Sequence, residues 1–145
     1  MVTIHLISGI PGSGKTTLAH QLAEQYNAIV HSYDSLPGAN TKAGMDGSVK
    51  QAWLKAIRED LQVGNSVICD GLNLTVAERK EFLSTFADIP CKKVLYVKIV
   101  PLETCLQRNR ERKARLSDFV VEEFAHKMEA PTKDEGWDLI YLCRQ

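Results

Sequence analysis

The chain has 145 residues, of which 44% are hydrophobic and 25% are charged, and this composition fits one compact domain rather than two. Its formal net charge is zero, so any nucleic-acid binding must come from a local patch rather than from a general attraction. The sequence has no run of 18 apolar residues and no basic leader segment, which predicts a cytoplasmic protein without a membrane span.

The cysteines do not have the spacing of a metal site. Four cysteines lie far apart without a CxxC pair, and the four histidines add no matching ligand pattern. We therefore expect reduced thiols and no zinc. The cysteines are Cys69, Cys91, Cys105 and Cys143.

The first half of the chain alternates between strand and helix patterns. Residues 1–8 form an apolar run typical of a strand, residues 15–26 have apolar positions at helical spacing, and a second strand is predicted at 28–31. Residues 35–48 contain three glycines and one proline without hydrophobic periodicity, which predicts a long irregular loop. Helical periodicity returns over 48–62.

The second half continues the same alternation. The predicted elements are a strand at 66–70, a helix at 75–87 opened by a Thr75–Glu78 capping box, a strand at 93–100, a helix at 101–113, a helix from Ser117 or Asp118, and a strand at 138–143. Five strands and about five helices in alternation predict a three-layer α/β/α sandwich around a mostly parallel five-stranded sheet.

A phosphate-binding loop follows the first strand. The segment GIPGSGKT matches GxxxxGK[ST] between a predicted strand and a predicted helix, the context that the motif requires. The pattern predicts binding of ATP or another nucleoside triphosphate, with Lys15 on the β- and γ-phosphates and the Thr16 hydroxyl on Mg²⁺. A glycine-rich turn that only connects strand to helix is the alternative. The predicted nucleotide-binding residues here are Gly9, Pro11, Gly12, Ser13, Gly14, Lys15, Thr16 and Thr17.

Two acids follow strands at the edge where a ligand of an open parallel sheet binds. Asp34 stands at the start of the irregular loop and is our candidate general base for an acceptor hydroxyl; the alternative is a turn-forming aspartate. Asp70 resembles a Walker B acid that holds Mg²⁺ through water or pairs with an arginine, or else it ends the strand in an Asx turn. Asn73 is either an acceptor contact or a turn residue.

A basic segment predicts a lid at about 107–116. Five basic residues accompany one acid in QRNRERKAR, although the whole chain has no net charge. On a continuous helix, Arg108, Arg112 and Arg115 share one face and could point at the phosphates, with Arg110 on another face. Arg108 and Arg112 are therefore further nucleotide-binding candidates, and Arg112 is the candidate lid arginine. A solvated helix face is the alternative.

These segments together resemble the polynucleotide 5′-kinase family of bacteriophages and related small P-loop kinases over nearly the whole chain. The resemblance is carried by GIPGSGKTT, the acid at Asp34, VICDGLNLTVAER and VPLETCLQRNRER, in order and spacing. It implies a P-loop kinase fold, a general base at Asp34, ATP and metal contacts from Lys15 and Thr16, a phosphate contact from Arg112, and an Asp70 needed for activity. The implied acceptor is a 5′-hydroxyl of DNA or RNA.

The sequence departs from that family next to the proposed base. The family has an arginine there that contacts the nucleic acid, whereas this chain continues Ser35-Leu36-Pro37, and Lys42 is the candidate replacement. Related kinases act on hydroxymethylated DNA bases, nucleosides and other small alcohols, so these acceptors stay open. A nucleotide-dependent switch protein is the alternative from another functional class. The sequence predicts no oligomeric state.

Overall fold

Five parallel strands form the central sheet. The computed structural model describes residues 1–39, 47–113 and 115–144. The strands are β1 (Val2–Ser8), β2 (Ile29–Ser32), β3 (Val67–Asp70), β4 (Cys91–Ile99) and β5 (Leu139–Arg144). Their order across the sheet is β2-β3-β1-β4-β5, and every neighbouring pair is parallel.

Within the described ranges, five α-helices connect the strands. They are α1 (Lys15–Tyr26), α2 (Ser48–Gln62), α3 (Val76–Thr85), α4 (Leu102–Arg110) and α5 (Asp118–Lys127). Each strand connects to the next through at least one helix, as parallel pairing requires. The predicted three-layer α/β/α class is confirmed, with a sheet that is wholly rather than mostly parallel.

Both faces of the sheet carry apolar cores, which explains the nearly unbroken apolar runs of β1 and β4. Helix α1 packs on one face, and α2 and α3 pack on the other. A third cluster joins α4 and α5 to the carboxyl edge of the sheet. The α1 core comprises Ile7, Ala19, Leu22, Ile68, Val94 and Tyr96; the opposite core includes Leu6, Trp53, Ile57, Phe82, Phe86 and Leu95.

Side-chain caps fix the starts of two helices, although the capping box predicted at Thr75–Glu78 forms only in part, since the Glu78 carboxylate accepts from the Thr75 hydroxyl and not from its backbone N–H. The Thr75 hydroxyl accepts a hydrogen bond from the backbone N–H of Glu78 at 3.1 Å and so begins α3. The Ser117 hydroxyl accepts from the N–H of Val120 at 3.3 Å and begins α5. Both caps satisfy helix donors that would otherwise have no partner.

Helix α4 is shorter than predicted, and this corrects one part of the lid prediction. It ends at Arg110 instead of continuing to about residue 113. The buried Asn109 is the physical cause: its amide nitrogen donates to the carbonyl of Leu116 at 2.7 Å, and its amide oxygen accepts from the N–H of Leu116 at 3.2 Å. These bonds turn the chain toward α5, so Arg112 and Arg115 do not continue a helical face with Arg108.

The segment predicted as a long loop begins with some regular structure. Residues Tyr33–Ser35 form one turn of 3-10 helix, and α2 begins at Ser48 as predicted. Residues 40–46, which include Lys42, lie outside the described part of the chain, and so the prediction for Lys42 stays a prediction.

No helix among the described residues is both long enough and apolar enough to span a bilayer. All four cysteines are free thiols, three of them buried and Cys143 partly buried. The described residues also contain no group of three or more histidine, cysteine or acidic side chains arranged to hold a metal ion.

The core facing α2 and α3 should be sensitive to lost volume. Ile57 is fully buried, so Ile57→Ala should lower the free energy of unfolding by about 2–5 kcal/mol, through lost apolar burial and the cavity left behind. Urea denaturation followed by fluorescence measures the change. Val63→Ala is the control, since this side chain is 74% exposed. Equal losses in the two variants would contradict this placement of the core.

Candidate functional site

A cavity of about 600 Å³ opens at the carboxyl ends of the strands. Its lining has three parts: the glycine-rich loop with nearby cations, two carboxylates at strand ends, and an apolar wall. Of the predicted site residues, the cavity brings together Pro11, Gly12, Gly14, Lys15, Thr16, Thr17, Asp34, Asp70, Asn73, Arg108 and Arg112. Gly9 and Ser13 belong to the loop but do not line the cavity.

The loop after β1 is packed directly against α4. Gly12 has φ +84° and a Cβ at this position would overlap the backbone of Cys105. The guanidinium of Arg108 donates from Nη1 to the Gly12 carbonyl at 3.3 Å. Two constraints therefore require glycine at this position: the left-handed backbone conformation and the close approach of α4.

Lys15 supplies a buried positive charge beside the phosphate loop. Its side chain is 9% exposed, and among the described residues no hydrogen bond or ion pair reaches its ammonium group. Burial lowers the pKa of Lys15, while the negative charges of Asp70 and Asp34 oppose that shift. Because an unpartnered buried cation is costly, the arrangement fits an anionic ligand such as a triphosphate at the start of α1.

The two carboxylates lie near this cation but differ in exposure. Asp70 is 5% exposed and accepts a long 3.4 Å hydrogen bond from the Ser32 hydroxyl. Burial raises the pKa of Asp70, the charge of Lys15 lowers it, and Asp34 raises it further. Asp34 is exposed and also lines the cavity. One carboxylate is thus fixed in the floor, whereas the other is accessible to a ligand.

Further cations surround the loop. A Cβ at Gly14 would lie 3.7 Å from Nζ of Lys98 and 3.8 Å from Nη1 of Arg108, so both side chains lie alongside it. Arg112 lines the cavity, and its guanidinium has no hydrogen-bond or ion-pair partner among the described residues. Lys98 was not predicted from the sequence, although its position near the end of a strand could have indicated it.

The other arginines of the basic segment are engaged elsewhere. Arg110 pairs with Asp118 at 2.7 Å, and Arg115 donates to the carbonyl of Arg110 at 3.2 Å. The predicted shared face of Arg108, Arg112 and Arg115 is therefore wrong, because Arg115 turns back along the chain. Arg108 and Arg112 still reach the same cavity, one from α4 and the other from the turn after it.

An apolar wall beyond Asp34 was not predicted from the sequence. Trp53 donates its indole N–H to the carbonyl of His31 at 3.0 Å, and its ring contacts those of Tyr33 and Phe82 at centroid distances of 5.8 and 5.6 Å. Three α5-side residues spaced four apart line the cavity as well; they are Leu116, Val120 and Phe124. Lys50 and Glu78 are the charged side chains of this wall among the described residues.

Asn73 lies in the cavity wall, with φ +48°. Its amide nitrogen donates to the carbonyl of Ile7 at 2.8 Å, so it ties the end of β1 to the turn after β3. This geometry fits the interpretation of Asn73 as a turn residue. A contact between Asn73 and the acceptor stays a prediction.

A family model matches most of the chain. The model is AAA_33, described as an AAA domain, and it matches residues 4–131, which include the phosphate loop, both carboxylates and the basic segment.

Individual proteins are similar over nearly the whole chain at low identity. The Kti12 protein of Schizosaccharomyces pombe is 22% identical over 92% of this chain, which spans 53% of that protein. The crystal structure of Chaetomium thermophilum Kti12 with ADP-AlF3 matches with a TM-score of 0.73 at 20% identity, covering 97% of this chain and 88% of that one.

Two structures of kinases are similar in the same way. A gluconokinase from Sinorhizobium meliloti has a TM-score of 0.69 at 17% identity, with coverage of 99% and 82%. A fungal RNA kinase has a TM-score of 0.71 at 17% identity, covering 97% of this chain but 38% of that chain. At these identities the likeness establishes a P-loop kinase fold.

The packing at Gly12 predicts a specific loss of nucleotide binding. Gly12→Ala should weaken ATP binding by about 100-fold or more, because the new methyl group must displace the loop or α4, and an ångström of misplacement is enough for such a loss. Isothermal titration with an ATP analogue measures the affinity.

The matched control is Gly64→Ala, which has φ +89° but no atom within 4 Å of the added Cβ. It imposes similar backbone strain without the overlap, so its nucleotide affinity should be that of the parent chain. A Gly12→Ala protein that binds as tightly as Gly64→Ala would contradict the described packing.

Proposed function

Because the chain belongs to the AAA_33 family and has a P-loop kinase fold, we propose that it is an ATP-dependent phosphotransferase with an alcohol acceptor. One observation carries the proposal: the unpartnered buried ammonium of Lys15 and the accessible carboxylate of Asp34 line the same cavity. In this proposal, the ammonium of Lys15 would hold the phosphoryl group and the carboxylate of Asp34 would hold the acceptor hydroxyl.

The phosphate loop provides the nucleotide end of this site. Its glycines let backbone N–H groups face phosphate oxygens, and the N-terminus of α1 adds its partial positive charge. Lys15 holds the β- and γ-phosphates, while Arg108 and Arg112 approach from the α4 side. The Thr16 hydroxyl and, through water, the Asp70 carboxylate would hold Mg²⁺, since oxygen ligands of this kind suit the ion, and the ion would neutralise phosphate charge.

The acceptor end of the site provides the remaining chemical roles. Asp34 accepts the proton of the acceptor hydroxyl and aligns its oxygen with the γ-phosphorus, as an accessible carboxylate at the cavity mouth can do. The unpartnered guanidinium of Arg112 stabilises the charge that develops on the transferred phosphoryl group. An acceptor bound against the apolar wall would displace water from this position, which favours transfer to the alcohol over hydrolysis.

We propose a nucleic-acid 5′-hydroxyl as the acceptor. The supporting feature is the apolar wall next to Asp34, where Tyr33, Trp53 and Phe82 line the same cavity as Leu116, Val120 and Phe124. An apolar wall with aromatic side chains can accommodate a flat nucleobase by stacking and apolar contact. The structural similarity to a fungal RNA kinase and the sequence resemblance to polynucleotide 5′-kinases support the same acceptor.

A free nucleoside or another small alcohol is the second candidate. It is favoured by the charge of the wall, since among the described lining residues on that side Lys50 is the only cation. A nucleic-acid strand carries a phosphate at every nucleotide and generally meets several basic side chains. The similarity to a gluconokinase fits a small acceptor as well.

Transfer of labelled phosphate tests both candidates. The chain is incubated with γ-labelled ATP, Mg²⁺ and a panel of 5′-hydroxyl oligonucleotides, hydroxymethylated duplex DNA, nucleosides and sugars, with Lys15→Ala as the inactive control. Label on an oligonucleotide 5′ end supports the first candidate, and label on a small alcohol alone supports the second. Nucleotide binding without any transfer would instead identify a nucleotide-dependent switch protein.

Asp34→Asn should separate binding from chemistry. The amide keeps the shape of the side chain but does not accept the proton, so transfer should fall by about 100-fold or more while ATP affinity is unchanged. Single-turnover transfer and titration with an ATP analogue measure the two quantities. Full transfer by the asparagine variant would leave Asp34 as the turn residue of the alternative interpretation.

Alanine variants of two nearby arginines should differ sharply in kcat. Arg112→Ala should lower kcat by about 100-fold or more, because it removes a donor from the developing charge. Arg110→Ala should have little effect on kcat, since its guanidinium is paired with Asp118 outside the cavity. Similar kcat values for the two variants would refute the role assigned to Arg112.

A further inference from the structure

A fully buried ion pair joins α3 to the 3-10 turn at Lys133–Glu135. Arg79 on α3 donates from Nε to Oε1 of Glu135 at 2.8 Å and from Nη2 to Oε2 at 3.1 Å, and both side chains are 0% exposed. Glu135 also accepts from the indole N–H of Trp137 at 3.0 Å and from the N–H of Thr132 at 2.7 Å. Burial raises the pKa of Glu135, but these hydrogen bonds together hold it below its ordinary value.

The same guanidinium holds two other segments by their carbonyl oxygens. From Nη1, Arg79 donates to the carbonyls of Asn73 at 3.2 Å and Leu74 at 2.9 Å. From Nη2 it reaches the carbonyls of Glu129 at 3.2 Å and Ala130 at 3.4 Å. A single side chain therefore joins the turn after β3 to the segment that leads from α5 to β5.

The turn after β3 is also hydrogen-bonded to the start of the phosphate loop. The carbonyl of Leu72 accepts from the N–H of Gly9 at 3.0 Å. The carbonyl of Asn73 accepts from the Ser8 hydroxyl at 2.7 Å, and its amide nitrogen donates to Ile7. The connection runs from Glu135 through Arg79 and Asn73 to the residues that begin the phosphate loop.

We propose that Arg79 and its partner Glu135 are positioning residues for phosphoryl transfer: they hold the turn after β3 and, through it, the phosphate loop in the geometry of the transition state. Neither touches the cavity, and neither is a catalytic residue. The kinetic part of this inference rests on the proposed phosphotransferase function. A fork-shaped guanidinium suits this role because it bonds a carboxylate and several carbonyls at fixed angles, which the single ammonium of lysine does not do.

Two variants separate positioning from folding. Arg79→Lys keeps a positive charge beside Glu135 but loses the fork that holds the carbonyls of Asn73 and Leu74. The double variant Arg79→Met/Glu135→Met removes both charges at once, and such apolar replacement of a buried pair often preserves folding. Arg58→Lys is the matched control, because Arg58 also pairs with an acid, Asp88, and a helix-end carbonyl, but has no contact with the turn.

The first readout compares ADP alone with ADP plus aluminium fluoride and Mg²⁺. Aluminium fluoride mimics the phosphoryl group in transfer, so the gain in affinity that it gives reports alignment without any need to know the acceptor. We expect both Arg79 variants to bind ADP within about threefold of the parent chain. The fluoride gain, meaning the extra affinity that aluminium fluoride gives, should fall by about tenfold or more, because a small misplacement of the phosphate loop is enough to cause such a loss.

The second readout is hydrogen exchange at the amide of Gly9, which donates to Leu72. Exchange there should accelerate about tenfold or more in both variants, while the amides in the middle of β4 stay protected. Arg58→Lys should change neither readout.

The outcomes are distinguishable. A folded Arg79 variant with the parental fluoride gain and parental exchange at Gly9 overturns the inference, and so does a failure of both variants to fold, which would make the pair a folding element only. If the parent chain itself shows no fluoride gain, the proposed transfer function fails, and exchange at Gly9 alone then decides whether Arg79 positions the loop.

Discussion

The site depends on the parallel pairing of β1 with β3. Ile7 lies opposite Asp70 in this pairing, so the phosphate loop that follows one strand and the acid that ends the other reach the same edge of the sheet. Helices α1 and α2 cover opposite faces of the sheet, and Lys15 and Asp70 are both buried at this edge. Burial therefore lowers the pKa of Lys15 and raises that of Asp70, while the attraction between the two charges opposes each shift.

Positive charge is concentrated at this edge, although the chain as a whole has no net charge. In the basic segment, Arg110 pairs with Asp118 and Arg115 bonds a backbone carbonyl, whereas the guanidinium of Arg112 has no hydrogen-bond or ion-pair partner among the described residues. Lys98 adds a cation from β4 beside the loop. A ligand with several negative charges would neutralise this cluster, whereas an uncharged one would leave it uncompensated.

The elements and the phosphate loop could be predicted because each depends on local sequence: apolar periodicity, a capping threonine, and the glycine spacing. The end of α4 could not be predicted, because it is set by hydrogen bonds between the Asn109 side chain and the backbone of Leu116. Hydrophobic periodicity does not predict such a contact. The apolar wall was missed for a related reason. Trp53 and Phe82 have the spacing of core residues on α2 and α3, and a helix that lines a cavity shows the same pattern as one that fills a core.

The central claim is that one cavity brings the γ-phosphoryl group and an acceptor hydroxyl together at Asp34. A crystal structure with Mg²⁺, a non-hydrolysable ATP analogue and a 5′-hydroxyl dinucleotide tests this most directly. We expect the 5′ oxygen within about 3 Å of an Asp34 carboxylate oxygen and in line with the γ-phosphorus, with the terminal base against Trp53 or Val120. A dinucleotide bound with its 5′ oxygen away from Asp34, or a γ-phosphate held away from Lys15, would contradict the account.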